Sequence, residues 1–357
     1  MKQFLAWVTA LIAAVFLLPA PAHADPAPPS FEDGFGLTQV GAPTGTATDV
    51  LLKVTTPEVA GERHIRVILP PDYASQPDKR YPVLYMLHGS PDSPACFTPA
   101  NVPSLKALTS AIVVVPDGGK RGWYSNWVRQ DTAAGAQNWK NFHIDQVIPF
   151  IDANLRTKAT KQGRAIAGWS TGGFGALRYV AQRPDLFSQV ASFSGILDLE
   201  LFTSRVVLQA TATNAGGVIL PGSGSGLGSS CLDDDQSFGP NVPDVSIVGP
   251  LFDFWGNPPA NIKAINPANN MRKTEGVFVS LYTGGNVATV QSEAIAVPSA
   301  ANAKASLDYL KYPYYYKNYG NGSGLGDGSC NGSHTITCLN LALADYFPRL
   351  TQAFAQP

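Results

Sequence analysis

Arg164-Ala165-Ile166-Ala167-Gly168-Trp169-Ser170-Thr171-Gly172-Gly173 is the stretch on which the reading of this chain turns. It begins as a short apolar run of strand character, breaks at a glycine, and resumes as the glycine-relieved start of a helix. A strand that turns this sharply into a helix leaves the residue at the turn standing clear of its neighbours, and here that residue is Ser170. Gly168 and Gly172 remove side chains where strand and helix nearly touch, and Gly173 adds room. Ser170 is therefore the candidate nucleophile. A phosphate-binding turn of the Walker type would need a lysine before the Ser/Thr, and none is present.

The segments around this turn repeat one rhythm. Asp49 to Thr56 and His64 to Leu69 read as strands, the second alternating apolar and polar. Tyr81 to Leu87 reads as a central strand ending at His88-Gly89-Ser90, and Ala111 to Val115 as another ending at Pro116-Asp117-Gly118-Gly119. Phe142 to Leu155 carries apolar residues at helical spacing. A helix is expected from Gly173 to Arg183 and a strand from Val190 to Ser194. Gly276 to Thr283 returns to strand character, and helices are expected over Thr289–Leu310 and Ala342–Phe354. Apolar strands ending in glycine-rich loops and alternating with helices make an α/β, doubly wound pattern. With a serine elbow inside it, the expected architecture is the α/β-hydrolase fold: a mostly parallel central sheet with helices on both faces. Residues 48–357 then form one domain. The stretch at about 200–270, with its glycine-rich loop and Leu251-Phe252-Asp253-Phe254-Trp255-Gly256, reads as an insertion covering the active site.

Bulk properties narrow the class. The 357 residues are 45% apolar, enough for a sizeable core. Net charge is -1 and only 14% of residues are charged, so no basic stripe points to nucleic acid. Lys2, the apolar run Phe4 to Leu18 and the small-x-small triplet Ala22-His23-Ala24 compose a secretory signal over residues 1–24. A Pro/Gly/Thr-rich arm follows to about residue 47. No later segment is long and apolar enough to span a bilayer. The mature protein is expected to be secreted or associated with the cell envelope, as a monomer.

Export favours disulfides among Cys96, Cys231, Cys330 and Cys338, whose spacing matches no zinc site. The favoured pairing joins Cys330 with Cys338 and Cys96 with Cys231. A near-repeat offers another: Gly224-Ser225-Gly226-Leu227-Gly228 precedes Cys231 and Gly322-Ser323-Gly324-Leu325-Gly326 precedes Cys330, so these loops could meet. Spacing leaves the choice open.

A serine hydroxyl needs a base and an orienting acid to act near neutral pH. In this fold the base follows the nucleophile in the chain. Of the five histidines, only His334 does so. It sits in Asn331-Gly332-Ser333-His334-Thr335 between two cysteines, and a disulfide there would restrict its loop. His143 reads as a surface or packing residue. Candidate acids are Glu293, which follows Gly284-Gly285 near a helix start, Asp308 on the later helix, and Asp327 in a loop near His334. The oxyanion calls for two backbone N–H donors. Thr171, immediately after the nucleophile, and Ser90, in the loop after the Tyr81–Leu87 strand, are the candidates. No metal or organic cofactor is implied.

The whole pattern resembles the putative esterase family of α/β-hydrolases over about residues 60 to 350. That family includes esterase D (S-formylglutathione hydrolase), feruloyl esterase modules and the antigen 85 mycolyltransferases. The residues carrying the resemblance are Tyr81 to Gly89, Val115 to Gly119 with Gly122-Trp123-Tyr124-Ser125-Asn126-Trp127, the elbow, and Phe193-Ser194-Gly195. Three features are similar to the antigen 85 branch: Trp123 to Trp127, Trp255-Gly256 with Asn266-Pro267, and Asn331-Gly332-Ser333-His334-Thr335. The resemblance implies a glutamate as the acid, which favours Glu293. It also implies a substrate-binding face with Trp123, Asn126, Trp127 and Trp255. Asn126 stands where that branch has an aspartate, His88 stands in its Leu-Asp-Gly, and the tryptophan after its catalytic histidine is missing. These departures touch the expected sugar-binding face.

Two activities follow as expectations. The first is an exported serine carboxylesterase or acyl hydrolase working through an acyl-enzyme. The alternative is a mycolyltransferase-like acyltransferase moving a long acyl chain between trehalose esters or onto the cell wall. The expected substrate is an ester or glycolipid, trehalose mycolates among them.

Overall fold

Val83, Tyr85 and Leu87 point to one face of a central strand and Leu84 and Met86 to the other, and all five are buried. A strand apolar on both faces needs cover on both. The computed structural model supplies it. It describes residues 27–90, 92–119, 122–127, 130, 135–212, 260–287, 293–325 and 328–356. The expected signal segment, Cys231, Trp255, Asp327 and most of the expected insertion lie outside these residues.

The described strands form one ten-stranded sheet. They are β1 (Thr38–Gln39), β2 (Thr44–Gly45), β3 (Asp49–Thr55), β4 (Arg63–Ile68), β5 (Val83–Leu87), β6 (Ile112–Pro116), β7 (Arg164–Trp169), β8 (Gln189–Phe193), β9 (Phe278–Thr283) and β10 (Tyr314–Asn318). The order is β1-β3-β4-β6-β5-β7-β8-β9-β10, with β2 also on β3. From β6 to β10 every pairing is parallel, while β1 to β4 join antiparallel at one side. This is the expected mixed, mostly parallel sheet of an α/β-hydrolase fold.

Helices cover both faces. A wide π-type turn over Asn141–Val147 runs into α1 (Ile148–Asn154), and α2 is Thr171–Gln182. These, with α6 (Ala296–Leu310), pack on the face of Val83, Tyr85, Leu87 and Ile166. The opposite face, with Leu84, Met86, Ala165, Ala167 and Trp169, takes the short 3₁₀ turn Pro103–Ala107 and α7 (Ile336–Phe354). Between them in the chain lie α3 (Phe202–Ala212), α4 (Ala260–Ile265) and α5 (Pro267–Asn270).

Several features differ from the sequence expectation, among them the start of α6, at Ala296 where Thr289 is expected. Helix α7 begins at Ile336, six residues before Ala342, because the Thr335 side chain accepts a hydrogen bond from the Cys338 N–H and caps it. Strand β10 adds an edge to the sheet in a Tyr-rich stretch with no clear alternation. Residues 27–47, expected as an arm, lie along β3 through β1 and β2 and bury Phe31 and Leu37.

Parallel strands pointing the same way bring their carboxyl ends to one edge. Trp169, Phe193 and Tyr282 stand side by side at the ends of β7, β8 and β9, and Leu87 of β5 pairs with Gly168. The residues that follow each strand therefore share one crevice.

Candidate active site

Ser170 sits between β7 and α2 with φ 57° and ψ −121°. A non-glycine residue with positive φ in this region is strained by about 1–3 kcal/mol, so its surroundings must hold it. Three backbone hydrogen bonds do so. The Ser170 N–H donates to the Phe193 carbonyl at 2.9 Å, and the Ser170 carbonyl accepts from Gly173 at 3.0 Å and Phe174 at 3.3 Å. The turn closes only without side chains: a Cβ on Gly168 would lie 2.1 Å from the Gly172 carbonyl oxygen, and one on Gly172 would lie 2.2 Å from that of Leu87.

His334 reaches the same crevice from the loop that feeds α7. The disulfide Cys330–Cys338 closes this loop across eight residues of separation, which is the favoured pairing. Cys96, the expected partner of Cys231, is buried. Asn286 ties the loop to the segment after β9. Its N–H donates to the Gly332 carbonyl at 3.1 Å and its side chain donates to Ser333 Oγ at 2.9 Å. Its own carbonyl takes the Glu293 N–H at 2.8 Å.

This knot brings Glu293 and His334 together. Glu293 Oε1 lies 3.0 Å from His334 Nδ1. The carboxylate is 0% exposed while the imidazole is 26% exposed. A carboxylate only accepts, so Nδ1 carries the proton and Nε2 is left as a proton acceptor. Glu293 Oε2 has no hydrogen-bond partner among the described residues. Tyr319 lies close enough that burial first, and then the Glu293 charge, raise its pKa. The indole of Trp169 stacks on the His334 ring, centroids 5.0 Å apart and planes 20° from parallel.

Of the other acid candidates, Asp327 is outside the described residues and Asp308 lies away from His334. Asp308 is on the outer side of α6, paired with Lys304 at 2.7 Å and accepting from the Tyr314 hydroxyl at 2.5 Å.

The two oxyanion candidates flank Ser170. Thr171 opens α2, so no preceding helical carbonyl takes its N–H. Ser90 follows β5, whose next residues lie against the elbow: a Cβ on Gly89 would come within 3.2 Å of Ser170 Cβ. His88 props this loop from below. Its Nδ1 is 2.8 Å from the Gly89 carbonyl, and its Nε2 accepts from the Gly118 N–H at 2.8 Å. The Tyr124 hydroxyl donates to the His88 carbonyl at 2.6 Å.

The proposed substrate face is mostly interior. Trp123 is 2% exposed and meets Phe174 edge-on at 5.5 Å, and Trp127 is 7% exposed. Asn126 is half-buried and bonded to Asn141 at 2.8 Å. His143 is a buried packing residue rather than a surface one. Its Nε2 donates to the Asp117 carbonyl and its Nδ1 accepts from the Tyr179 hydroxyl, both at 2.7 Å. Burial lowers its pKa to about 4.

Sequence reasoning missed Trp169, Asn286 and the His88–Gly118 bridge. Strand parity could have placed Trp169, since it falls in step with Ala165 and Ala167 on the α7 face.

The fold and this crevice define an α/β-hydrolase with a serine elbow. The chain belongs to the esterase family described as "Putative esterase", whose family model matches residues 56–343. It is 38% identical to Esterase Rv1288 of Mycobacterium tuberculosis over 185 residues, 51% of this chain and 40% of that protein. It is 36% identical to the diacylglycerol acyltransferase/mycolyltransferase Ag85A of Mycobacterium leprae over 89 residues, 24% of this chain and 26% of that protein. The chain thus spans less than half the length of these curated relatives. In fold it is similar to an S-formylglutathione hydrolase from Agrobacterium tumefaciens, with a TM-score of 0.59 and 13% identity over 91% of this chain and 99% of that one. Among the described residues no helix is long and apolar enough to cross a membrane.

Proposed function

We propose that this protein is an exported serine carboxylesterase that works through an acyl-enzyme. The observation that carries this reading is the 3.0 Å contact of the buried Glu293 carboxylate with His334 Nδ1, in a loop stacked against the residue preceding Ser170.

In this mechanism Ser170 Oγ attacks the ester carbonyl while His334 Nε2 takes its proton. Glu293 holds the imidazole and offsets the positive charge it acquires. The carbonyl oxygen, now an oxyanion, sits between the Thr171 and Ser90 N–H groups. The tetrahedral centre collapses, His334 returns the proton to the departing alcohol, and the acyl group stays on Ser170. Water, deprotonated by His334, then releases the acid.

The second reading is acyl transfer to a sugar alcohol such as trehalose, favoured by the likeness to Ag85A. It shares the first half-reaction and differs in which hydroxyl resolves the acyl-enzyme. The test is mass spectrometry of products from purified protein given a long-chain trehalose ester plus free trehalose. Free acid alone, abolished in Ser170→Ala, supports the esterase. New diester with little free acid supports the transferase. Activity unchanged in folded Ser170→Ala overturns both.

A further inference from the structure

We propose that Trp169 is a positioning residue that holds the His334 imidazole flat and stabilises the cation it becomes during attack. This inference rests on the serine-hydrolase reading of the site.

Three observations carry it. The rings are 5.0 Å apart and within 20° of parallel, so the imidazole lies over the indole face. Trp169 is 3% exposed, which keeps it from contacting substrate. Its backbone is fixed by pairing with Phe193 in the sheet, one residue before Ser170. The indole is therefore carried on the sheet, whereas His334 is carried on a loop. Glu293 meets the imidazole at Nδ1, and one hydrogen bond does not by itself set the tilt of the ring about that bond. The indole sets that tilt.

The chemistry follows from the charge change. When Ser170 Oγ bonds to the carbonyl carbon, its proton passes to Nε2 and neutral imidazole becomes imidazolium. A cation within about 6 Å of an indole face is attracted by the negative face of the ring, most strongly when desolvated. That attraction exists in the transition state and not in the neutral ground state, so it acts on kcat.

Trp169→Leu and Trp169→Phe, assayed on a p-nitrophenyl ester, provide the test, with proton NMR of the His334 ring assigned through His334→Gln. In Trp169→Leu kcat falls roughly tenfold while KM stays within about twofold. Trp169→Phe recovers most of the loss. The His334 ring protons, shifted upfield by the stacked indole, move downfield in Trp169→Leu and less so in Trp169→Phe. Wild-type kcat in a folded Trp169→Leu, or a Trp169→Phe no better than Trp169→Leu, overturns the proposal. Should Trp169→Leu fail to fold, Trp169→Phe decides alone: a kcat below about a tenth of wild type overturns the proposal, and a kcat mostly retained with His334 still upfield supports it. A wild-type protein inert toward esters defeats the functional reading instead, and the NMR shift then still judges the stack.

Discussion

The Glu293 carboxylate and the His334 imidazole meet at 3.0 Å although 41 residues of chain separate them. The contact is buried on the acid side and open on the base side. A base in this position works only in the tautomer with its proton on Nδ1. Glu293→Gln offers an amide that can present N–H instead of an acceptor. Steady-state assay of this variant should give kcat lower by roughly 10³- to 10⁴-fold, with the fold intact. A loss under about tenfold would remove Glu293 from the mechanism.

The elbow should tolerate no side chain. Gly168→Ala places a methyl group 2.1 Å from the Gly172 carbonyl oxygen, and neither strand nor helix can retreat. Thermal or urea unfolding should report destabilisation of roughly 3 kcal/mol or more. A variant as stable as wild type would mean that the turn has room for a methyl group.

The disulfide closes a small loop around His334. Constraint on the unfolded chain from a loop this short is worth about 2–3 kcal/mol. Cys330→Ser with Cys338→Ser, or reduction, should lower the melting temperature and also activity, because the imidazole sits inside the loop. Melting and activity both unchanged would show that the Asn286 bonds suffice to hold it.

Acid should weaken the fold in a defined window. Burial holds His143 neutral with a pKa of about 4, against 6.5 for an ordinary histidine. Between these values the unfolded chain binds a proton that the folded one does not. Stability is therefore full above pH 6.5 and lost as pH falls toward 4, by about 3 kcal/mol from this group. His64, lowered chiefly by burial, adds to the same slope. Melting temperatures across this range should fall for the wild type and fall less for His143→Gln. Equal slopes would assign the acid sensitivity elsewhere.

Much of this arrangement was legible in the sequence, for reasons particular residues make plain. The elbow announces itself because its steric demand falls on glycines adjacent to the serine, at fixed offsets. His334 stands out as the candidate base by elimination among few histidines. Glu293 was harder. Its segment has no periodicity, and the bonds that deliver it run through Asn286 and Gly332, which carry no local pattern. Strand β10 was missed because its run of tyrosines gives no period, its place being set by pairing with β9. Helix α7 was placed too late because its first turn, Ile336 to Leu339, follows directly on the polar loop of His334, and only the cap at Thr335 marks its start. For His143 surface and packing stayed equally open, because its partners, the Asp117 carbonyl and Tyr179, come from other elements.

Whether Ser170 is a nucleophile activated by His334 is tested by peptide-mapped mass spectrometry after reaction with a fluorophosphonate, which captures a serine activated by its base. One adduct is expected, on Ser170, absent in Ser170→Ala and formed far more slowly in His334→Ala. Labelling that persists in Ser170→Ala, or that proceeds at the wild-type rate without His334, would contradict that role for Ser170.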